Sequence, residues 1–111
     1  MLKHPEPFDP LAYAVFDPGK MAKVELFRSP RVLIGLNCFR PGQEHALHAH
    51  AGMDKAYYVL EGQGVFLLPG REAPLRPGMM LVAPEGVPHG IRNSGQTDLC
   101  VLTILAPAPE K

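Results

Sequence analysis

The sequence predicts an all-β domain, a sandwich or barrel, on three observations. Turn signals recur along it: "RPGQ" at 40–43, "EGQG" at 61–64, "PGR" at 69–71, "RPGM" at 76–79, "PEG" at 84–86 and "NSG" at 93–95. The runs they bound are short, and several are rich in β-branched or aromatic residues. Thirteen prolines and eleven glycines in 111 residues leave little room for a long helix. Many short strands within one domain bury their apolar faces by packing sheet on sheet or by closing a sheet on itself.

Taken in order, residues 1–20 are Pro-rich and aperiodic, and they read as an arm that packs irregularly or on a neighbouring subunit. "KMAKVELF" is read as a leading strand in preference to a helical turn. Further strands follow in "RVLIGLNCF", "HALHAH", "KAYYVL", "VFLL", "APLR", "MLVA", "HGIR" and "DLCVLTIL". The end, "APAPEK", reads as a frayed tail. No repeat or linker divides the chain. The expected organisation is an arm over 1–20, one β domain over 21–106 and a tail over 107–111.

Composition narrows the partners. The apolar share is 46%, which argues against disorder, and the net charge is zero with no basic block. Nucleic acid and anionic membrane are therefore poor partners. No apolar stretch is long enough to span a bilayer. The opening "MLKHPEPFDP" lacks the apolar core of a signal peptide, so a cytoplasmic location is expected. Cys38 and Cys100 lie inside apolar runs and read as buried free thiols in a reducing compartment, with a disulfide between neighbouring strands as the alternative. Neither has a second cysteine at metal-ligand spacing.

The histidines carry the chemistry. In "HALHAH", period-two alternation puts His48 and His50 on one face of a strand and His45, Leu47 and Ala49 on the other. His89 follows "PEGVP", a stiff turn that fixes where the next residue points.

Two longer patterns contain these residues. The first runs Gly42, five residues, His48-Ala-His50, and on to Gly62. The second runs Gly78, five residues, Pro84-Glu85-Gly86, two residues, His89, three residues, Asn93. Together they resemble the two motifs of the cupin family, over residues 42–93. The resemblance implies a single-domain cupin-type β-barrel, or jelly roll, whose closure limits exposed edges. It also implies that His48, His50 and His89 converge inside the barrel on a divalent transition metal, and that small proteins of this kind pair as homodimers.

One position departs from the family pattern. A glutamate ligand belongs where six residues separate it from Gly62, and this sequence has Lys55 there, with Asp54 one residue early. An ammonium about 4 Å from a divalent ion is repelled by roughly 8 kcal/mol at an effective dielectric of about 20. Neutralising a lysine at pH 7 costs roughly 4–5 kcal/mol. Three arrangements avoid a charged lysine beside the ion. Lys55 turns away and water completes the shell, which is the favoured expectation. Asp54 replaces the glutamate through a bulge. Or Lys55 stays inside as a neutral amine, able to act as a base or Schiff-base nucleophile. The candidate metal ligands are thus His48, His50, His89 and Asp54.

Smaller expectations follow. One of Tyr57 and Tyr58 faces inward, chiefly for packing. Met79 and Met80 fill the core. Gln43 and His45 stand near the entrance of the first motif, where Gln43 could reach the pocket as an extra polar ligand. Arg40, Arg71 and Arg76 are solvated at turns, and Asn93 bonds backbone in a turn.

Imidazole ligands suit Fe, Mn, Ni, Cu and Zn, so ligand type does not choose the metal. Three neutral ligands leave the ion's full double charge on the site, which favours anionic or enolisable small molecules. Two function classes fit. One is an enzyme of metal-dependent dioxygenase, isomerase or cyclase type acting on a small organic molecule. The other is a non-catalytic module that binds a small molecule, with or without metal. A fold of this kind does not decide between them.

Overall fold

The structure is a computed structural model that describes residues 5–110; the first four residues of the arm and the last of the tail lie outside it. Nine strands follow a short 3-10 turn at Pro10–Tyr13. They are β1 (Ala22–Arg28), β2 (Leu33–Phe39), β3 (Glu44–His48), β4 (Asp54–Glu61), β5 (Gly64–Leu68), β6 (Arg71–Leu75), β7 (Met80–Ala83), β8 (His89–Arg92) and β9 (Leu99–Ala106). Every strand expected from the turn signals is present, "KMAKVELF" among them as β1.

Two antiparallel sheets face each other as the walls of a jelly-roll barrel. One has the order β1-β2-β9-β4-β7, the other β3-β8-β5-β6. Hydrogen bonding does not run continuously round the barrel, so each sheet keeps its edges.

Alternation sorts the side chains. In the five-stranded sheet the paired rows Phe39–Leu99 and Val101–Val59, with Tyr57, face the opposite sheet. There they meet Phe66, Leu75 and Ile91 in a core from which water is excluded. Each such side chain contributes roughly 1.5–3 kcal/mol of burial. The outward rows are apolar as well: Leu36, Cys38 and Cys100 form a second cluster with Leu26, covered by Leu11, Ala14 and Phe16 of the arm. The arm therefore packs on its own sheet. Asp9 starts its 3-10 turn by accepting the Leu11 N–H at 3.0 Å, with Pro10 fixing the next φ. The two cysteines are buried and free, their sulfurs 3.8 Å apart.

Two expectations about side-chain direction are overturned. Met80 is 57% exposed and does not fill the core, because β7 turns Leu81 and Ala83 inward and Met80 and Val82 outward. His45 does not point away from His48. The β3–β8 register slips between His45 and His48, where two residues of β3 stand opposite one of β8, and this bulge breaks the alternation. Gly90 lets the bulged backbone come close, since a side-chain carbon there would meet the His45 carbonyl at 2.5 Å.

Candidate metal centre

The histidines sit one step along the barrel from the apolar core. His89 precedes Ile91 on β8, and His48 pairs with it across the sheet at the end of β3. His50 lies just beyond β3 and not on it, so the shared-face argument does not place it. Its loop is held from the other side. The His50 carbonyl accepts the Gly86 N–H at 2.8 Å, and the Gly52 N–H donates to Glu85. Gly86 has φ +77°, which glycine adopts without strain and which aims the chain at His89. The "PEG" turn thus joins the two motifs physically.

One ring nitrogen from each of His48, His50 and His89 lies within 4.8 Å of the other two. Ring centroids are 4.4 Å apart for His48–His89, 4.9 Å for His48–His50 and 5.3 Å for His50–His89. The Nδ1 atoms of His48 and His89 contact the carbonyls of Ala46 and Val87 at 2.7 and 2.8 Å. A carbonyl accepts only from N–H, so both rings carry their proton on Nδ1 and present a lone pair at Nε2. The Nε2 atoms of all three rings are buried without a hydrogen-bond partner.

Burial pushes all three down from the usual histidine range, His50 to about 4 with Lys55 as the next cause. For His48 and His89 the backbone carbonyl bond opposes the shift. At neutral pH the imidazoles are therefore uncharged. Orphaned, neutral nitrogens facing one another fit a divalent transition ion, which takes imidazole in that form. Backbone carbonyls on the far nitrogens are the usual means of orienting such ligands.

Asp54 is not brought into this group. Its side chain is exposed and accepts the Glu85 N–H at 2.9 Å. Lys55 overturns the favoured expectation that it turns away. It is 5% exposed and faces into the barrel with Tyr57 and Val59, as strand parity requires once β4 begins regularly at Asp54. Its Nζ sits 4.8 Å from the centroid of the Tyr57 ring. Burial, and then the charge of Lys23, lowers its pKa to about 8.

Tyr57 is inward and Tyr58 outward. The Tyr57 hydroxyl is buried without a partner, with its ring 5.7 Å from that of His89. Gln43 staples backbone, bonding the Arg40 N–H and the Asp17 carbonyl, and Asn93 bonds the carbonyls of Phe39 and Thr97. Arg40, Arg71 and Arg76 are exposed.

Three further residues join the site: His45, expected near its entrance but facing away, and Asn37 and Thr103, which were not expected. His45 stacks on His48 at 4.1 Å, and burial, then His48, lowers its pKa to about 3. Asn37 and Thr103 line a cavity that reaches His45, His50 and Lys55. A lone polar residue inside the apolar run "LIGLNCF" was the readable signal for Asn37; the bulge that redirects His45 left no such mark.

Residues 35–105 match the family described as cupin domain. Among curated proteins the chain is 38% identical over 65 residues to the oxalate-binding protein of Thermotoga maritima, covering 59% of this chain and 54% of that one. It is 33% identical over 89 residues to auxin-binding protein 1 of Arabidopsis thaliana, covering 72% and 44%. The chain thus spans about half the length of these curated relatives. Among solved structures, a Thermus thermophilus protein superposes with TM-score 0.88 at 43% identity, covering 94% of this chain and 99% of that one. An RmlC-like cupin from Desulfovibrio desulfuricans gives 0.84 at 33%, covering 94% and 98%.

Proposed function

The chain belongs to the cupin domain family, and from that premise we propose that it holds a divalent transition metal at His48, His50 and His89 and binds a small organic anion against it. The observation that carries this reading is the convergence of three neutral, buried and unpartnered Nε2 atoms. When bound, the ion supplies a Lewis-acid centre with coordination positions left for a ligand. The chain's own residues do the rest. The Ala46 and Val87 carbonyls fix the imidazole protons on Nδ1. His45 braces the His48 ring by stacking. Lys55 brings positive charge where the family pattern has a carboxylate, so the site lacks a built-in anion and accepts one from a ligand. The printed name of the Thermotoga relative, an oxalate-binding protein, supports the same ligand class.

Water is the reading for the remaining positions when no ligand is present, and Asp54 stays outside the ligand set. A homodimer and a cytoplasmic location belong to this reading too, supported by exposed Tyr58, Met80 and Val82 on one sheet face and by two free, buried thiols. Among the described residues no helix is long and apolar enough to cross a membrane.

One observation favours a second reading, in which the site transforms its ligand by isomerase, cyclase or dioxygenase chemistry. The Tyr57 hydroxyl is buried with no polar partner, its ring stands 5.7 Å from that of His89, and the Lys55 amine lies over the same ring. Hydrogen–deuterium exchange of an enolisable 2-keto acid in heavy water tests it, and a rate equal to that of the buffer removes it.

For the principal reading the test is elemental analysis of protein purified without added metal. The expected content is close to one equivalent in the wild type and near zero in His48→Ala. Less than a few tenths of an equivalent in both contradicts the metal.

A further inference from the structure

The cavity that opens beside His50 has about 330 Å³ of space, the size of a small-molecule site. Its wall comes chiefly from β1, β2, β4 and β9, and His45 and His50 line the end that meets the histidine cluster. Lys23, Arg28 and Lys55 line it, with Glu25, Asn37, Thr103 and Gly35 between them.

The charges do not cancel. Arg28 is engaged, its Nε 2.9 Å from Glu25 and its guanidinium donating to the Pro109 carbonyl at 2.6 Å. Lys23 and Lys55 have no acidic partner among the described residues, and they are close enough for Lys23 to depress the ionisation of Lys55. Two like charges facing one space raise the energy of the empty cavity. Asn37 is 3% exposed, and its Nδ2 donor has no acceptor. A buried donor without a partner costs about 1–3 kcal/mol, which a ligand acceptor recovers. Gly35 lets β2 lie close against β1 at this wall, since a side-chain carbon there would collide with the Val24 carbonyl.

Resting on the metal-and-anion reading above, we infer that the ligand is a two-ended anion: one end binds at the histidine cluster, and a distal carboxylate sits in this cavity between Lys23, Lys55 and the Asn37 amide. The ligand class is a small dicarboxylate or hydroxydicarboxylate. A distal carboxylate places negative charge next to both ammonium groups and gives the Asn37 donor its acceptor. The arrangement also explains why a lysine is tolerated beside a metal site: the bound anion lies between the two positive centres.

L-Lactate and L-malate share one 2-hydroxycarboxylate head, and malate adds a distal carboxylate. Calorimetric titration of metal-loaded protein with each acid isolates that group. Malate is expected to bind about tenfold or more tightly than lactate. In Lys55→Met, and in Lys23→Gln at the more exposed position, the malate-to-lactate ratio falls towards one, and in Lys23→Gln lactate affinity and metal content hold. Lactate and malate binding equally well to the wild type, or a ratio unchanged in both variants, overturns the distal site and leaves the metal-and-anion reading standing. Binding of neither acid overturns both.

Discussion

At the scale of single residues the site depends on which atom carries a proton. Carbonyl bonds at Nδ1 leave Nε2 bare on His48 and His89, and burial keeps the rings neutral. Lys55 works in the other direction. Its folded pKa is lowered to about 8 from an ordinary value of 10.5. The unfolded chain therefore binds more protons between those values, and this group's contribution to stability rises with pH across that window. Below about pH 8 both states are charged and the full cost of burying the ammonium is present. In metal-free protein Lys55→Met is expected to raise stability at pH 7 by about 1–3 kcal/mol. That gain should shrink as pH climbs from 8 to 10.5. Urea unfolding at a series of pH values measures it, and a Met variant less stable than the wild type at pH 7 contradicts the account. A residue that costs stability and is nonetheless placed beside the cluster fits a ligand-binding role.

Among the elements, the "PEG" turn before β8 and the loop after β3 determine whether three rings meet. Asp54 acts here: its carboxylate receives the Glu85 N–H and ties the start of β4 to that turn. Asp54→Asn keeps an acceptor oxygen, whereas Asp54→Ala removes it. Metal affinity is expected to be unchanged in Asn and about three- to tenfold weaker in Ala, the effect of losing one hydrogen bond of roughly 1 kcal/mol. Competition against a chelator reads it, and a large loss in Asn would instead make Asp54 a ligand. The strands themselves were readable because turns and short β-branched runs are local signals. Lys55 departs from the expectation for a physical reason. The cost of a buried ammonium argues for a lysine turned away, but parity with Tyr57 on a regular strand fixes its direction first. His45 was unreadable because a bulge is set by the partner strand, through Gly90, and not by the segment that bulges.

Across the whole molecule, the sheets divide labour: their facing rows fill one end of the barrel with apolar side chains and leave the other for polar ones. The outer face of the five-stranded sheet is half covered by the arm, while Tyr58, Met80 and Val82 stay exposed next to the free edge of β7. A homodimer through that face predicts that Val82→Glu halves the mass seen by light scattering without lowering metal content; a wild type that is already monomeric removes it. The motif spacing made the three ligand positions legible across 42–93, since fixed separations between turns and histidines survive in sequence. The cavity beside them was not, because its walls come from four strands distant in the chain. The central claim is that three Nε2 atoms share one ion. Anomalous scattering from a crystal, collected at the absorption edge of the metal found by elemental analysis, tests it most directly. The account predicts a single peak bounded by the Nε2 atoms of His48, His50 and His89. A peak on Asp54, or none among the three rings in protein that carries metal, would contradict it.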